Sequence, residues 1–396
     1  MPRTADVCFG AVAPATYTGA GTNRLIETPS GVLYLVYIEG ASDVVFRKST
    51  DRGLTWSDTV VVYTGTATNL AVCYDRDSNI AAGLIHCAYT ESANDDTLYR
   101  TINTESSDAL STQTTIFAGT STANGGHLSI VRAKGGNVYC KTVIDAGAEG
   151  GFYRLPNANV PNGAWDAART VDEALATQDQ MILSPNLTAA DNQDIMAIFW
   201  DASANEVSRK LYDNSANSWG ETSIATSMVD QVATTAFPHF AAAVDLTNSR
   251  IVLAAWSAVD TLDADLRCWT ITDSAITEVT PVVLNSTDDQ GLCAISIDSI
   301  TGYWYVYYGG KSGGSETFST AINVYFTVST DGGSTWGAEQ KLSQAAMNFQ
   351  WLIACPWLYT RPHGVAVHCT ETVQGHGKFI GAPIVQARAS HQVYGG

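Results

Sequence analysis

The chain has 396 residues, 45% of them hydrophobic and only 15% charged, so it can build a large core and is not a disordered polymer. Its formal net charge of −18 repels nucleic acid and anionic membranes, which argues against a phosphate-backbone partner. No apolar run reaches the length of a membrane span, and no basic stretch leads into an apolar one at the N-terminus, so neither membrane insertion nor a Sec signal is expected.

After an orphan apolar stretch at residues 5–12, short apolar runs recur near Leu25, Leu70, Leu128, Met181, Phe240, Leu292 and Leu352. Each leads into a second run: Leu33–Ile38, Leu84–Tyr89, Asn137–Ile144, Ile195–Trp200, Ile251–Trp256, Tyr303–Tyr308 and Val365–Cys369. A third run follows in every unit, as at Val44–Arg47, Leu98–Arg100 and Phe152–Arg154, then Val207–Leu211, Leu266–Ile271, Val324–Val328 and Phe379–Val385. A weaker fourth closes most of them, as at Thr59–Tyr63, Thr114–Phe117 and Val279–Leu284. The runs are rich in β-branched and aromatic residues, and no segment sustains a helical period.

Four short antiparallel strands repeating about every 50 residues read as the blade of a β-propeller. The expected fold is all-β: one propeller of about seven four-stranded blades, at residues 22–66, 67–122, 123–175, 176–228, 235–286, 288–344 and 346–390. The last unit lacks a fourth strand. The N-terminal stretch, 5–12, is expected to supply it, closing the ring and covering two sheet edges.

The eight cysteines, Cys8, Cys73, Cys87, Cys140, Cys268, Cys293, Cys355 and Cys369, form no CxxC pair, and nearly all sit inside apolar runs. They read as buried free thiols of a chain folded in a reducing cytoplasm; no metal and no cofactor is expected. His86-Cys87 and His368-Cys369 recur at one blade position, with Cys73 and Cys355 fourteen residues upstream of the second member. That echo reads as repeat history and core packing.

Two stretches follow S-x-D-x-G-x-T-W: Ser49, Asp51, Gly53, Thr55 and Trp56 carry the first, and Ser329, Asp331, Gly333, Thr335 and Trp336 the second. Each falls between the third and fourth runs of its unit; degenerate copies end at Trp219 and Trp165. The pattern resembles the Asp-box (BNR) repeat of sialidase-like propellers. In that family the box is a peripheral turn, so the resemblance implies a structural role for these residues. Physically, the Asp carboxylate can accept backbone N–H groups, the Gly allows a positive φ and the Trp can pack in the seam between blades.

The resemblance also implies what an active sialidase would carry: three converging arginines, a Tyr/Glu nucleophile pair and an acidic acid/base. Arg24-Leu25-Ile26 resembles the family's Arg-Ile-Pro motif only loosely, lacking its proline. Arg47, Arg100 and Arg154 share one column on the third strand, too far from the axis to converge, and read as blade-surface or inter-blade donors. A non-sialidase member is expected.

In a propeller the residues just before the innermost strands ring one mouth of the central channel. The repeat alignment puts Arg24, Asn69, His127, Gln180, His239, Gln290 and Gln350 at or next to that position, with Trp351 beside them and Asp179, Asp288 and Asp289 close by. Amide, imidazole and indole groups suit sugar hydroxyls and sugar faces. The reading favoured is a non-catalytic structural or glycan/receptor-binding module, a subunit of a larger assembly such as the surface of a virus or phage particle, used in host attachment. The alternative is a carbohydrate-active enzyme, either a hydrolase using Asp179 with Asp288 or Asp289, or a lyase using the His127 and His239 pair as base.

Overall fold

The computed structural model describes residues 7–11, 24–39, 42–77, 83–93, 96–119, 128–142, 151–170, 180–201, 204, 206–226, 240–260, 263–286, 293–310, 323–343, 348–358, 364–371 and 374–381. They form one all-β propeller of antiparallel sheets. Sheet one runs Leu25–Glu27, Leu33–Ile38, Val44–Ser49, Val60–Tyr63 from the axis outward. Sheet two runs Ala67–Tyr74, Leu84–Glu91, Thr97–Asn103, Thr114–Phe117, and sheet four Gln180–Pro185, Ile195–Asp201, Glu206–Asp213, Ser218–Thr226. Sheet five runs Phe240–Asp245, Arg250–Asp260, Asp263–Ile271, Ile276–Glu278, and sheet six Cys293–Asp298, Trp304–Gly309, Val324–Ser329, Gln340–Lys341.

The expected seven four-stranded blades are met in six sheets among the described residues. The remaining sheet, Leu128–Arg132, Val138–Thr142, Phe152–Leu155, has three strands. Among the described residues its outer edge carries one isolated bridge, between Phe152 and Arg169. The physical reason lies in the segment itself, Val160-Pro161-Asn162-Gly163, where Pro cannot donate to a ladder and Gly weakens an extended run.

The last sheet combines Asn348–Ala354, Gly364–Glu371 and Gln374–Gly381 with the N-terminal strand Val7–Ala11 on its outer edge. Val7 pairs with Phe379 and Cys8 with Lys378, antiparallel. One chain end thus caps the edge left by the other.

Burial explains why the strands were readable. The second strands of sheets one and six, Leu33–Ile38 and Trp304–Gly309, are buried at every position because a neighbouring sheet covers each face. Such strands read as continuous apolar runs rather than alternating ones. Outer strands such as Ser218–Thr226 are largely exposed and correspondingly polar. The core lies between the sheets: Val252, Ala254 and Trp256 of sheet five pack with Ile295, Ile297 and Trp304 of sheet six in one cluster. Six cysteines, Cys73, Cys87, Cys140, Cys268, Cys293 and Cys355, are free and buried, and burial pushes the Cys87 and Cys355 thiols up to about 12.

Candidate functional site

The innermost strands begin at the front face of the ring and end at the back. Of the residues expected at the front mouth, Arg24 immediately precedes its strand and Gln180 opens its own. Both are buried, and Arg24 donates from Nη2 to the Leu70 carbonyl at 3.3 Å, tying sheet one to sheet two. Asn69, Gln350 and Trp351 lie just inside the starts of Ala67–Tyr74 and Asn348–Ala354 rather than in front of them. The cause is a register shift in each strand, between Ala67 and Asn69 and between Phe349 and Trp351, which lets pairing begin two residues earlier. His127, His239, Gln290, Asp179, Asp288 and Asp289 lie outside the described residues, as do the side chains of Gln350 and Trp351.

The back face carries a feature that the sequence reading missed. The innermost strands of sheets two, four, five and six are each closed by a buried Asp or Asn, namely Asp75, Asn186, Asp245 and Asp298. Each caps the hairpin that follows. Asp75 Oδ1 accepts the Leu84 N–H at 3.1 Å, Asp245 Oδ1 that of Asn248 at 3.2 Å and Asp298 Oδ1 that of Ile300 at 2.8 Å. The signal was present as an apolar run followed by Asp or Asn and a Ser/Thr/Asn-containing turn.

Asp75 also accepts Arg132 Nη1 of sheet three at 2.8 Å, with both side chains almost wholly buried. Beside it His86 Nδ1 lies 2.7 Å from the Tyr99 hydroxyl. Both rings are at 0% exposure, and burial, then the Arg132 charge, holds the imidazole neutral well below the ordinary histidine range. Histidine, tyrosine and arginine therefore meet here without reaching solvent. The register also separates the two His-Cys pairs: Cys73 faces His86, whereas His368 faces Trp351 and Cys355 lies beyond its strand. Among the described residues no His, Cys, Asp and Glu cluster could hold a metal ion.

At the back mouth the channel narrows to a cavity of about 60 Å³ bordered by Glu27, Tyr74, Arg132, Ser184, Val244 and Trp357. Arg76 stacks 4.9 Å over Trp357 at its edge. That space admits a few waters and no sugar ring.

The two S-x-D-x-G-x-T-W turns share one hydrogen-bond set. In the second, the Thr335 N–H and hydroxyl donate to the two Asp331 oxygens at 2.8 and 2.6 Å, and the Gly333 N–H donates to Ser329 Oγ at 2.8 Å. In the first, Thr55 and Asp51 make the same two bonds at 2.8 and 2.6 Å, and Gly53 and Ser49 the third at 2.8 Å. The Thr335 hydroxyl, its N–H and the Ser329 hydroxyl hold the Asp331 carboxyl below its ordinary range. Gly53 and Gly333 take φ of 85° and 90°, which an L side chain rarely adopts. Trp336 donates from Nε1 to the Thr280 carbonyl of sheet five at 2.8 Å. The arginine column behaves likewise: Arg100 donates to Val62 O of sheet one, and Arg154 to Asn214 Oδ1 of sheet four.

Comparison with known proteins adds to the fold. No protein-family model and no curated protein sequence matches the chain. Among solved structures it is similar to a polysaccharide lyase, an ulvan lyase bound to -[GlcA(1-4)Rha3S]-, with a TM-score of 0.56 at 10% identity over 95% of this chain and 96% of that one. AofleA from Arthrobotrys oligospora, in a triple arginine-to-alanine form, gives 0.51 at 11% identity over 85% and 90%. The polysaccharide lyase Uly1 gives 0.50 at 10% identity over 96% and 100%. The likeness is one of fold. The sialidase-like resemblance consequently rests on the two turns alone.

Between sheets five and six the back face opens into a groove of about 380 Å³, bordered by Thr247, Asn248, Arg250, Thr301, Thr330 and Asp331. Its walls are held by three bonds. Thr280 N–H donates to Gly333 O at 3.2 Å, Thr280 Oγ1 to Ser334 O at 2.8 Å, and Trp336 supplies the indole bond already described.

Proposed function

We propose that this chain is a non-catalytic glycan-binding β-propeller. One contrast carries the reading: the described His, Tyr and Arg cluster is buried, with Arg132 paired to Asp75 and His86 to Tyr99, whereas the open groove offers hydroxyl, amide and guanidinium groups on a fixed frame. A polar concavity of a few hundred Å³ is the size at which small ligands are held. The polysaccharide lyases among the similar structures support a carbohydrate partner. Arg24, Asn69, His127, Gln180, His239, Gln290, Gln350 and Trp351, taken as residues at or next to the front mouth, stay part of the proposal as a second polar surface.

The finer architecture belongs to the same proposal. We take the three-stranded sheet as a blade of the ring, which makes seven, and the two S-x-D-x-G-x-T-W turns as true Asp-boxes. A setting on a virus or phage particle, within a larger assembly, fits buried free thiols and a glycan partner together.

A glycan array followed by calorimetry tests the reading. Saturable binding with no release of reducing ends or unsaturated uronate supports it. Turnover of a bound polysaccharide would replace it with the enzyme reading, in which His127 and His239 are the first residues to substitute.

A further inference from the structure

We infer that the groove between sheets five and six binds a neutral sugar ring through a vicinal diol, with Arg250 as donor and Asp331 as acceptor. The inference rests on the glycan-binding reading and adds the place and the chemical class of the ligand.

Arg250 is held by two contacts. Its Nε donates to Asp245 Oδ2 at 3.0 Å, and its guanidinium carbon lies 5.0 Å from the Trp304 ring centroid. These two contacts fix the plane of the group. Among the described residues neither Nη nitrogen has a hydrogen-bond acceptor, although the side chain is only 25% exposed. A preoriented pair of donors therefore faces the groove. Gly332 helps keep that edge uncovered: a Cβ there would approach Arg250 Nη2 to 3.3 Å.

Asp331 borders the same groove. The S-x-D-x-G-x-T-W bonds hold its carboxylate in one orientation and keep it ionised, while the group itself stays exposed. Each carboxylate oxygen has two acceptor directions, so Oδ2, which accepts the Thr335 hydroxyl, retains capacity for a ligand hydroxyl. Asn248 commits its amide nitrogen to Asp245 Oδ2 at 2.8 Å, which leaves its carbonyl as a further acceptor. Exposed Ile300 at the rim supplies an apolar face.

Charge decides the class. The Arg250 charge is matched by buried Asp245, and Asp331 adds a second carboxylate, so the site is net negative within a chain of −18. A uronate or sulfated sugar would meet repulsion, and a cation would meet the guanidinium. A neutral pyranoside satisfies both groups, because adjacent hydroxyls can accept from Nη and donate to Oδ2. The volume of about 380 Å³ accommodates one or two such rings.

The test titrates the full chain with methyl glycosides of neutral pyranoses and with methyl glucuronide, by saturation-transfer NMR and calorimetry. Three proteins are compared: wild type, Thr301→Trp, which fills the groove from an exposed position, and Arg250→Lys, which keeps the charge beside Asp245 but loses the planar fork. The expected result is binding of at least one neutral glycoside, weakened about tenfold or more in both variants, with a native-like circular dichroism spectrum for Thr301→Trp. Neutral-glycoside binding indifferent to Thr301→Trp would overturn the groove and leave glycan binding elsewhere intact. Preference for the glucuronide at this groove would overturn the ligand class. No binding of any glycan, in this titration or on an array, would overturn both this inference and the reading beneath it.

Discussion

Removing the Asp75 carboxylate probes the joint between sheets two and three more sharply than any other single change. Asp75 closes its own hairpin through the Leu84 N–H at 3.1 Å and accepts Arg132 Nη1 at 2.8 Å. The two side chains retain 1% and 3% exposure. Arg132 further donates to Gly136 O at 3.2 Å and to Asn157 Oδ1 at 3.1 Å, so it cannot swing out to solvent without breaking sheet three's own turns. Asp75→Ala strands a buried guanidinium, and breaking a buried pair this way costs about 3–5 kcal/mol. The loss of the bond to Leu84 adds about 1 kcal/mol. Arg132→Met should cost a similar amount alone. The double variant should be less destabilised than the sum by about 1–3 kcal/mol, since removing both charges leaves neither unpaired. Urea unfolding of the four proteins, followed by fluorescence, measures all terms of the cycle. A cost below about 1 kcal/mol for Asp75→Ala, or strict additivity in the double variant, would refute the view that this pair locks the seam.

Four further outcomes are expected. Gly333→Ala should destabilise by about 3 kcal/mol, from a disfavoured positive φ and overpacking, because its Cβ would sit 2.7 Å from both Trp304 Cζ3 and Val279 Cγ2. Gly220→Ala, with nothing within 4 Å of the new Cβ, should change stability little in the same denaturation assay. His86 is held neutral in the fold, so its stabilising contribution is full above the unfolded pKa of about 6.5 and is lost as pH falls below it. Between about pH 6.5 and 5 the slope should approach 1.4 kcal/mol per pH unit and flatten in His86→Gln, a comparison that unfolding curves at several pH values make directly. Deleting residues 1–12 should bare the Gln374–Gly381 edge and produce oligomers or aggregates by light scattering; a monodisperse, equally stable truncation would contradict the closure role of Val7–Ala11.

The strands were legible because the architecture writes itself into the chain. Second strands covered on both faces must be apolar along their buried length, as in the first six residues of Ile195–Asp201, and the turns between them must be polar. The register of the innermost strands was not legible at the level a site requires. Irregularities at Ala67/Asn69 and Phe349/Trp351 let pairing begin before Asn69, Gln350 and Trp351, and a one-residue slip in a strand has no compositional trace. The S-x-D-x-G-x-T-W turns were readable because their bonds are local in sequence, Asp331 to Thr335 spanning four residues. The groove was not, because Asn248, Thr301 and Asp331 come from three hairpins that only the packing of sheets five and six brings together.

Carbohydrate binding without turnover is the claim on which the account stands. The most direct measurement applies the purified chain to a broad glycan array and then incubates each ligand found with the protein, following reducing ends and unsaturated uronate over time. The account predicts saturable binding to at least one glycan bearing neutral pyranoses, with the ligand recovered intact. Release of shortened or unsaturated products, or a silent array, would contradict it.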